Sequence, residues 1–145
     1  MMMNDCIQKK SKTSEHASEA CIFCKIIKGE IPCAKIYEDD NFLAFLDIEP
    51  RNKGHTLIIP KEHYHHFLDI PDKLMKEYSL VIKKIAKAIN NMCDFVNIVM
   101  YGTDVPHAHI HVIPRFKGDG LHFWPGKKYE EGEMKEYQKK IKSLL

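Results

Sequence analysis

Hydrophobic and polar positions alternate with different periods along the chain. Residues 1–19 are polar and follow neither a period of two nor one of 3.6, which predicts a disordered tail. Beyond it, the apolar residues of CIFCKIIKGEIP predict a short helix that ends at Gly29. Strands are predicted in AKIYED and NFLAFLDI, on either side of a turn at residues 39–41, and in HTLIIP, which ends at Pro60.

A period of three to four replaces this pattern over residues 71–92. Leu74, Val81, Ile85 and Ile89 recur at helical spacing with lysines on the other face, which predicts one long helix. Strands follow in FVNIVMY and HAHIHVIP, and residues 130–143 are predicted as a short basic helix. Residues 20–145 are therefore expected to form a single α+β domain with a mainly antiparallel five-stranded sheet.

Composition narrows the class of protein. The 22 Lys and Arg residues nearly balance the 20 Asp and Glu residues, so charge alone favours neither nucleic acid nor an acidic membrane as a partner. No apolar run approaches the length of a membrane span, and the start of the chain lacks a signal-like stretch. We therefore expect a cytoplasmic protein. Its five cysteines suit reduced thiols or a metal site better than a disulfide scaffold.

Three histidines stand at alternate positions in the last predicted strand. His107, His109 and His111 would project from one face, with Ala108, Ile110 and Val112 buried on the other. Imidazole can act as a nucleophile, a proton carrier or a metal ligand near neutral pH. Two chemistries therefore remain open: a metal site with three imidazole ligands, or attack of the central imidazole on phosphorus. Gly102 and Thr103, in the turn before the array, favour the second because such a turn can approach an anion closely.

A Cys-x-x-Cys pair opens the first predicted helix. By itself the pair Cys21 and Cys24 is compatible with zinc binding, with redox chemistry or with neither. A thioredoxin-type redox pair would follow a strand, and none is predicted before Cys21.

Longer stretches of sequence connect these motifs to a known family. HAHIHV fits the pattern His-x-His-x-His with apolar x, and the similarity extends through CIFCKIIKGEIPCAKIYEDDNFLAFLDIEPRNKGHTLIIPKEH and HVIPRFKGDG, over residues 21–125. The chain thus resembles the histidine triad (HIT) superfamily, in its Hint-like branch. The resemblance implies a HIT-like fold and an enzyme that hydrolyses phosphorus–nitrogen or phosphoanhydride bonds. Nucleoside phosphoramidates or related purine nucleotide conjugates would react through a nucleotidyl-histidine intermediate to give AMP-type products.

The resemblance also implies roles for particular residues. His109 would be the nucleophile, His111 would contact the phosphate or assist the leaving group, and His55 would support this network. Asp47 would hydrogen-bond the ribose hydroxyls. The other residues expected to bind the nucleotide are Phe23, Ile26, Ile31, Phe45, Leu46, Ile48, Gly102, Thr103, Asp104 and Val105.

A structural zinc and a homodimer follow from the same resemblance. The expected zinc ligands are Cys21, Cys24, His63 and His107, with His65 or His66 as substitutes for His63. No organic cofactor is expected. The long helix and an edge strand are expected to form the dimer interface.

The chain departs from the family pattern before the triad. The loop between Asn97 and Gly102 is short, Thr103 stands in place of Gln, and Asp104 replaces a residue that is usually neutral. A carboxylate near phosphate would repel it unless paired. An alternative is therefore a nucleotide-binding protein whose shortened phosphate loop has weakened catalysis. A zinc hydrolase with the three histidines as ligands is a further hypothesis, which leaves Cys21 and Cys24 unexplained.

Overall fold

The computed structural model describes residues 19–101, 105–122 and 126–145, and three complete helices and one five-stranded sheet lie within these ranges. The helices are α1 (Ile22–Ile27), α2 (Asp72–Asn90) and α3 (Glu133–Lys142). The strands are β1 (Lys35–Glu38), β2 (Phe42–Leu46), β3 (Thr56–Pro60), β4 (Phe95–Val99) and β5 (Ile110–Arg115). A 3₁₀ turn at Phe67–Asp69 precedes α2. Within these ranges, no helix has both the length and the apolar character needed to span a bilayer.

All neighbouring strands of the sheet are antiparallel. Their spatial order is β1-β2-β3-β5-β4, so the histidine-bearing β5 lies between β3 and the edge strand β4. In the two registers that flank it, His111 lies opposite Leu57 of β3 and Val99 of β4. The predicted α+β fold with a mainly antiparallel five-stranded sheet is confirmed.

The long helix α2 covers one face of the sheet. Its buried Tyr78, Val81 and Ile85 pack against alternate residues of the central strands, among them Phe42 and Ile58. The rings of Phe42 and Tyr78 stack with centroids 5.0 Å apart, and the Tyr78 hydroxyl donates to the carbonyl oxygen of Ile58. Also in this core are Ala108, Ile110 and Val112, as the alternation of the histidine segment predicts.

The opposite face of the sheet carries a second, smaller core under α1. Cys21, Phe23 and Cys24 pack there against Leu43, Phe45, Leu57 and Ile59. Both faces of β2 and β3 are therefore covered, which explains their nearly continuous apolar sequences. This second face also carries the imidazoles of the histidine segment, since Phe23 contacts the rings of His107 and His109.

The predicted elements agree with the structure in kind and order, but several boundaries differ by one to three residues, and the start of the histidine strand is the difference that bears on the site. We expected a strand over residues 107–114, whereas β5 begins at Ile110. Pairing with β3 ends at Ile58, opposite Ile110, and Pro60 at the end of β3 has no N–H to donate to a longer ladder. His107 and Ala108 donate instead to the carbonyl oxygens of Val105 and Tyr64, at 2.8 and 2.7 Å.

The predicted tail falls almost wholly outside the described residues. Of residues 1–19, only Glu19 is described, and it is helical and exposed. At the other end, the predicted basic helix is α3, whose residues are all half-buried or exposed.

Candidate active site and metal cluster

His109 is the central imidazole of the site, and its orientation is set by the main chain. The side chain is buried, and its Nδ1 lies 2.7 Å from the carbonyl oxygen of His107. A carbonyl oxygen only accepts, so Nδ1 of His109 carries a proton that it donates. The neutral ring therefore has its lone pair on Nε2, the nitrogen that can attack an electrophile. The Phe23 ring lies edge-on beside it, with centroids 5.3 Å apart.

His111 is paired with His55 of the preceding loop. Nε2 of His55 and Nδ1 of His111 are 2.9 Å apart, and both residues are buried. The backbone N–H of Arg51 donates to Nδ1 of His55 at 3.1 Å, so His55 holds its proton on Nε2 and donates it to His111. The neutral His111 ring accordingly carries its proton on Nε2. The rings of His109 and His111 are neighbours, with centroids 4.9 Å apart.

The charge of His55 is set mainly by burial. Desolvation lowers its pKa below 6.5, the nearby Arg51 lowers it further, and the Asp47 carboxylate partly opposes both. Oδ2 of Asp47 lies 3.7 Å from Nδ1 of His55. The ring is therefore neutral at physiological pH, which is consistent with its acceptance of the Arg51 N–H.

A cavity of about 300 Å³ opens beside this pair. It is large enough for part of a nucleotide conjugate, at the lower end of small-molecule sites. Three predicted site residues, Asp47, His55 and His111, line it. Four residues that we did not predict line it as well: Glu49, Arg51, Tyr101 and Ile113.

Of the apolar residues predicted to contact the nucleotide base, some lie in the core and others on the surface. Phe23 and Phe45 are buried in the second core with ring centroids 5.8 Å apart, and Ile26 and Val105 pack against them. Ile31 is half-buried, whereas Leu46 is exposed and Ile48 is 92% exposed. Gly102, Thr103 and Asp104 lie outside the described residues.

Cys21, Cys24, His63 and His107 form a compact cluster on the same face of the sheet. Nδ1 of His107 lies 3.5 Å from Sγ of both Cys21 and Cys24, and Nδ1 of His63 lies 3.2 Å from Sγ of Cys24. The two imidazole nitrogens are 3.1 Å apart. All four ligand atoms lie within 4.8 Å of one another.

These distances fit a tetrahedral zinc site. Zinc bonds of ordinary length would place sulfur and nitrogen ligands about 3.6 Å apart and two nitrogens about 3.3 Å apart. Nε2 of His107 donates to the carbonyl oxygen of Pro60 at 2.8 Å, which leaves the lone pair on Nδ1, toward the thiols. Burial lowers the pKa of His107 to about 4, so the ring is neutral, as a metal ligand must be.

This arrangement bears on the two hypotheses about which residues would hold a metal. By sequence alone, His65 and His66 are possible replacements for His63 as a zinc ligand. In the structure His63, and not His65 or His66, lies with the two cysteines and His107. The three histidines of the array do not share one ligand group among the described residues: His107 joins the cysteines, while His111 groups with Asp47 and His55. The described residues therefore contain no ligand group in which all three histidines could hold a hydrolytic zinc.

Sequence reasoning assigned no role in the site to residues 51–54, which precede His55. Arg51 supplies the N–H that His55 accepts, and the Asn52 amide donates to the carbonyl oxygen of Pro114 in β5. Their position directly before His55 was the available signal. Tyr101, whose ring lies 5.6 Å from that of His111, carried no signal beyond its place before the triad.

The fold and the site together define an α+β protein with buried, hydrogen-bonded imidazoles beside a cluster of two cysteines and two histidines. Residues 28–118 match the sequence profile of the HIT domain. The chain belongs to the HIT family, in its Hint-like branch.

Relatives with known names support this placement. An uncharacterised HIT-like protein of Methanocaldococcus jannaschii is 49% identical over 106 residues, which cover 69% of this chain and 82% of the relative. The adenosine 5′-monophosphoramidase of Schizosaccharomyces pombe is 38% identical over 133 residues, 87% of this chain and 98% of the relative. An adenylylsulfatase of Arabidopsis thaliana is 41% identical over 110 residues, 70% of this chain and 55% of the relative. The expectation of a family that contains nucleotide hydrolases is confirmed.

Solved structures agree with the fold. A HIT family member from Bacillus subtilis superposes with a TM-score of 0.78 at 40% identity, covering 87% of this chain and 97% of that one. A zinc-bound histidine triad family protein from Mycobacterium smegmatis superposes with a TM-score of 0.68 at 36% identity, covering 88% and 99%.

Proposed function

We propose that this protein hydrolyses nucleoside phosphoramidates or related purine nucleotide conjugates to nucleoside monophosphates through a nucleotidyl-histidine intermediate. The observation that carries the proposal is the hydrogen bond from His109 Nδ1 to the His107 carbonyl oxygen, because it leaves Nε2 as a buried, oriented nucleophile. The names of the phosphoramidase and adenylylsulfatase relatives support the same chemistry.

In the first step, Nε2 of His109 attacks the α-phosphorus and the bond from phosphorus to the leaving nitrogen breaks. The amine leaves with a proton from solvent. The positive charge that develops on the His109 ring lies against the carbonyl oxygen of His107, which stabilises it. The Nε2–H of His111 donates to the phosphate, or to the atom that leaves, as charge builds there.

In the second step, water attacks the phosphorus and the bond to His109 breaks. An imidazole that is already cationic departs as a neutral ring, so this step needs no further activation of the leaving group. The water proton passes to solvent, and the monophosphate is released.

Nucleotide binding in this proposal combines polar and apolar contacts. The half-buried Asp47 carboxylate, which lines the cavity, hydrogen-bonds the ribose hydroxyls. Phe23 and Phe45, with Ile26, Ile31, Leu46, Ile48 and Val105, bind the base. Gly102, Thr103 and Asp104 are assigned to phosphate binding.

A structural zinc held by Cys21, Cys24, His63 and His107 is part of the proposal. The ligand distances and the lone pair on Nδ1 of His107 support it, as does the zinc-bound relative. When bound, the metal would tie α1 to the segment before β5 and occupy no position that a substrate could reach. Ligation requires reduced thiols, so we place the protein in the cytoplasm.

We also propose a homodimer formed through α2 and β4. β4 is an edge strand with Phe95 and Ile98 exposed, and Leu80 of α2 is exposed as well. Exposed apolar residues on an edge strand favour association with another chain. Light scattering of the purified protein should give twice the chain mass, and Ile98→Lys should give the monomer.

The activity is tested by incubating the full-length protein with adenosine 5′-phosphoramidate and separating the products. We expect AMP and ammonia, and acid-labile adenylylation of His109 in quenched samples analysed by mass spectrometry. AMP binding without turnover would instead favour the alternative, a nucleotide-binding protein with weakened catalysis. Turnover without a labelled histidine would contradict the covalent route.

A further inference from the structure

We infer that Asn52 is a positioning residue that fixes the tautomers of His55 and His111. The inference rests on the proposed function for its catalytic consequence, but not for the tautomers themselves. Asn52 touches neither imidazole through its side chain, and it acts through the turn that it holds in place.

A chain of two hydrogen bonds, from the Arg51 N–H to His55 and from His55 to His111, determines which ring nitrogens carry protons. The Arg51 N–H donates to Nδ1 of His55 at 3.1 Å, and Nε2 of His55 donates to Nδ1 of His111 at 2.9 Å. Each nitrogen that accepts cannot also carry a proton, so each ring is protonated on Nε2. His111 thereby presents an N–H donor on the side away from His55, as the proposed mechanism requires.

The Arg51 N–H is held in position by Asn52. Residues 52–55 form a turn in which the His55 N–H donates to the Asn52 carbonyl oxygen at 3.0 Å. The Asn52 amide donates to the carbonyl oxygen of Pro114 at 2.8 Å and to Oδ2 of Asp119 at 3.0 Å. Pro114 belongs to β5, the strand that carries His111. One side chain therefore ties the turn beside His55 to the strand of its partner.

The chemistry of position 52 requires a donor. Both side-chain partners, a carbonyl oxygen and a carboxylate, can only accept, so an amide suits the site and a carboxylate would be repelled. The partner Asp119 is itself fixed, because Arg115 donates to it through Nε and Nη2 at 2.7 and 2.9 Å. The anchor is therefore rigid on the β5 side.

A competing arrangement lies close by. If the Arg51 N–H moved away, His55 could place its proton on Nδ1, toward the Asp47 carboxylate oxygen 3.7 Å away. Nε2 of His55 would then accept from Nδ1 of His111. Nε2 of His111 would carry a lone pair and lose its ability to donate to a phosphate. Asn52 excludes this arrangement by keeping the Arg51 N–H on Nδ1 of His55.

The test reads the tautomers directly in full-length protein labelled with ¹⁵N-histidine. Two-bond ¹H–¹⁵N correlation spectra should show both His55 and His111 protonated on Nε2 in the wild type. Asn52→Ala and Asn52→Asp should shift His55 and His111 toward protonation on Nδ1. The matched control Lys53→Ala, on the same turn, should keep the wild-type pattern.

Turnover of adenosine 5′-phosphoramidate measures the catalytic effect of the same variants. Asn52→Ala should lower kcat by about tenfold or more, in the range found for residues that orient a functional histidine. KM should change by less than about twofold, because no contact to substrate is removed. Lys53→Ala should retain wild-type turnover.

A second pair of variants isolates the backbone donor. Arg51→Pro removes the N–H and should shift both tautomers, whereas Arg51→Ala retains the N–H and should retain the wild-type tautomers. Protonation of His55 on Nδ1 in the wild type would overturn the inference, as would unchanged tautomers in folded Asn52→Ala. If Asn52→Ala does not fold, the Arg51 pair decides in the same way. Absence of turnover in a wild type with the expected tautomers would contradict the proposed function and leave this inference standing.

Discussion

The Nδ1–H of His109 donates to the carbonyl oxygen of His107 across a single intervening residue, at 2.7 Å. The side chain of His107 meanwhile belongs to the Cys–His cluster, with Nδ1 at 3.5 Å from two thiol sulfurs. One residue therefore belongs to the cluster through its ring and orients the candidate nucleophile through its backbone.

His109→Ala should lower turnover of adenosine 5′-phosphoramidate by about a thousandfold or more, because the covalent route loses its nucleophile. The sheet should remain folded, since Ala108, Ile110 and Val112 carry the packing against α2. Steady-state kinetics and thermal melting measure the two effects. His109→Gln, closer in volume, should be equally inactive, and His65→Ala, an exposed ring, should keep full activity. Substantial turnover in either His109 variant would assign the chemistry to another group.

Cys24→Ser should lower the zinc content of purified protein from about one per chain and lower its Tm. Loss of activity should follow loss of folded protein, because the cluster has no position open to substrate. Metal analysis by mass spectrometry and thermal melting measure these effects. Cys93→Ser is the control, since that half-buried thiol bonds only backbone carbonyls of Ile89 and Phe95 among the contacts described. A structural zinc would be ruled out if purified wild-type protein contained no metal and Cys24→Ser had the same Tm as the wild type.

Asp47→Ala should weaken AMP binding by about 1–3 kcal/mol, the usual cost of losing a charge-assisted hydrogen bond. Binding of 2′,3′-dideoxy-AMP should hardly change, because that ligand lacks the hydroxyls that Asp47 is proposed to bind. Isothermal titration calorimetry with both ligands separates the two cases. Equal losses for both would indicate that Asp47 acts by holding the loop before His55.

Asp119→Asn should reduce stability at neutral pH, and the difference from wild type should shrink in acid. The Arg115 guanidinium and the backbone N–H groups of Leu121 and Phe116 hold the pKa of the Asp119 carboxyl well below its usual range. A lowered folded pKa stabilises the protein above the unfolded value near 3.8, and this contribution is lost as pH falls toward the folded pKa.

Urea unfolding of both proteins between pH 2 and pH 7 measures this dependence. We expect clearly separate midpoints above pH 5 and a difference that begins to narrow below about pH 4 and narrows further toward pH 2. A constant difference between the two proteins over the whole range would show that Asp119 stabilises the fold through its shape and not through its charge.

The sequence predicts the sheet because β2 and β3 alternate between two apolar cores. Phe42 and Ala44 face α2 while Leu43 and Phe45 face α1, so a run of apolar residues of strand length was sufficient evidence. The histidine array predicted a shared face for the same reason. The start of β5 could not be predicted from the alternation, since it depends on where pairing with the partner strand stops, at Ile58 opposite Ile110.

The site was predicted less completely than the sheet. His55, Asp47 and His111 were identified through the resemblance, and the structure brings them together at one cavity. Arg51 and Asn52 were not, because one contributes a backbone N–H and the other an amide whose partners lie 62 and 67 residues away. Neither leaves a local pattern in the sequence.

Backbone groups largely determine which nitrogen of each array histidine carries the proton. These groups are the carbonyl oxygens of Pro60 and His107 and the N–H of Arg51. Replacing a side chain leaves such groups in place. An alanine scan would therefore measure the effect of removing the Pro60 ring or the Arg51 charge and would not detect the hydrogen bonds made by their backbones. Backbone amide-to-ester exchange at Arg51, which removes this N–H and leaves every side chain in place, would measure what the backbone contributes to the candidate site.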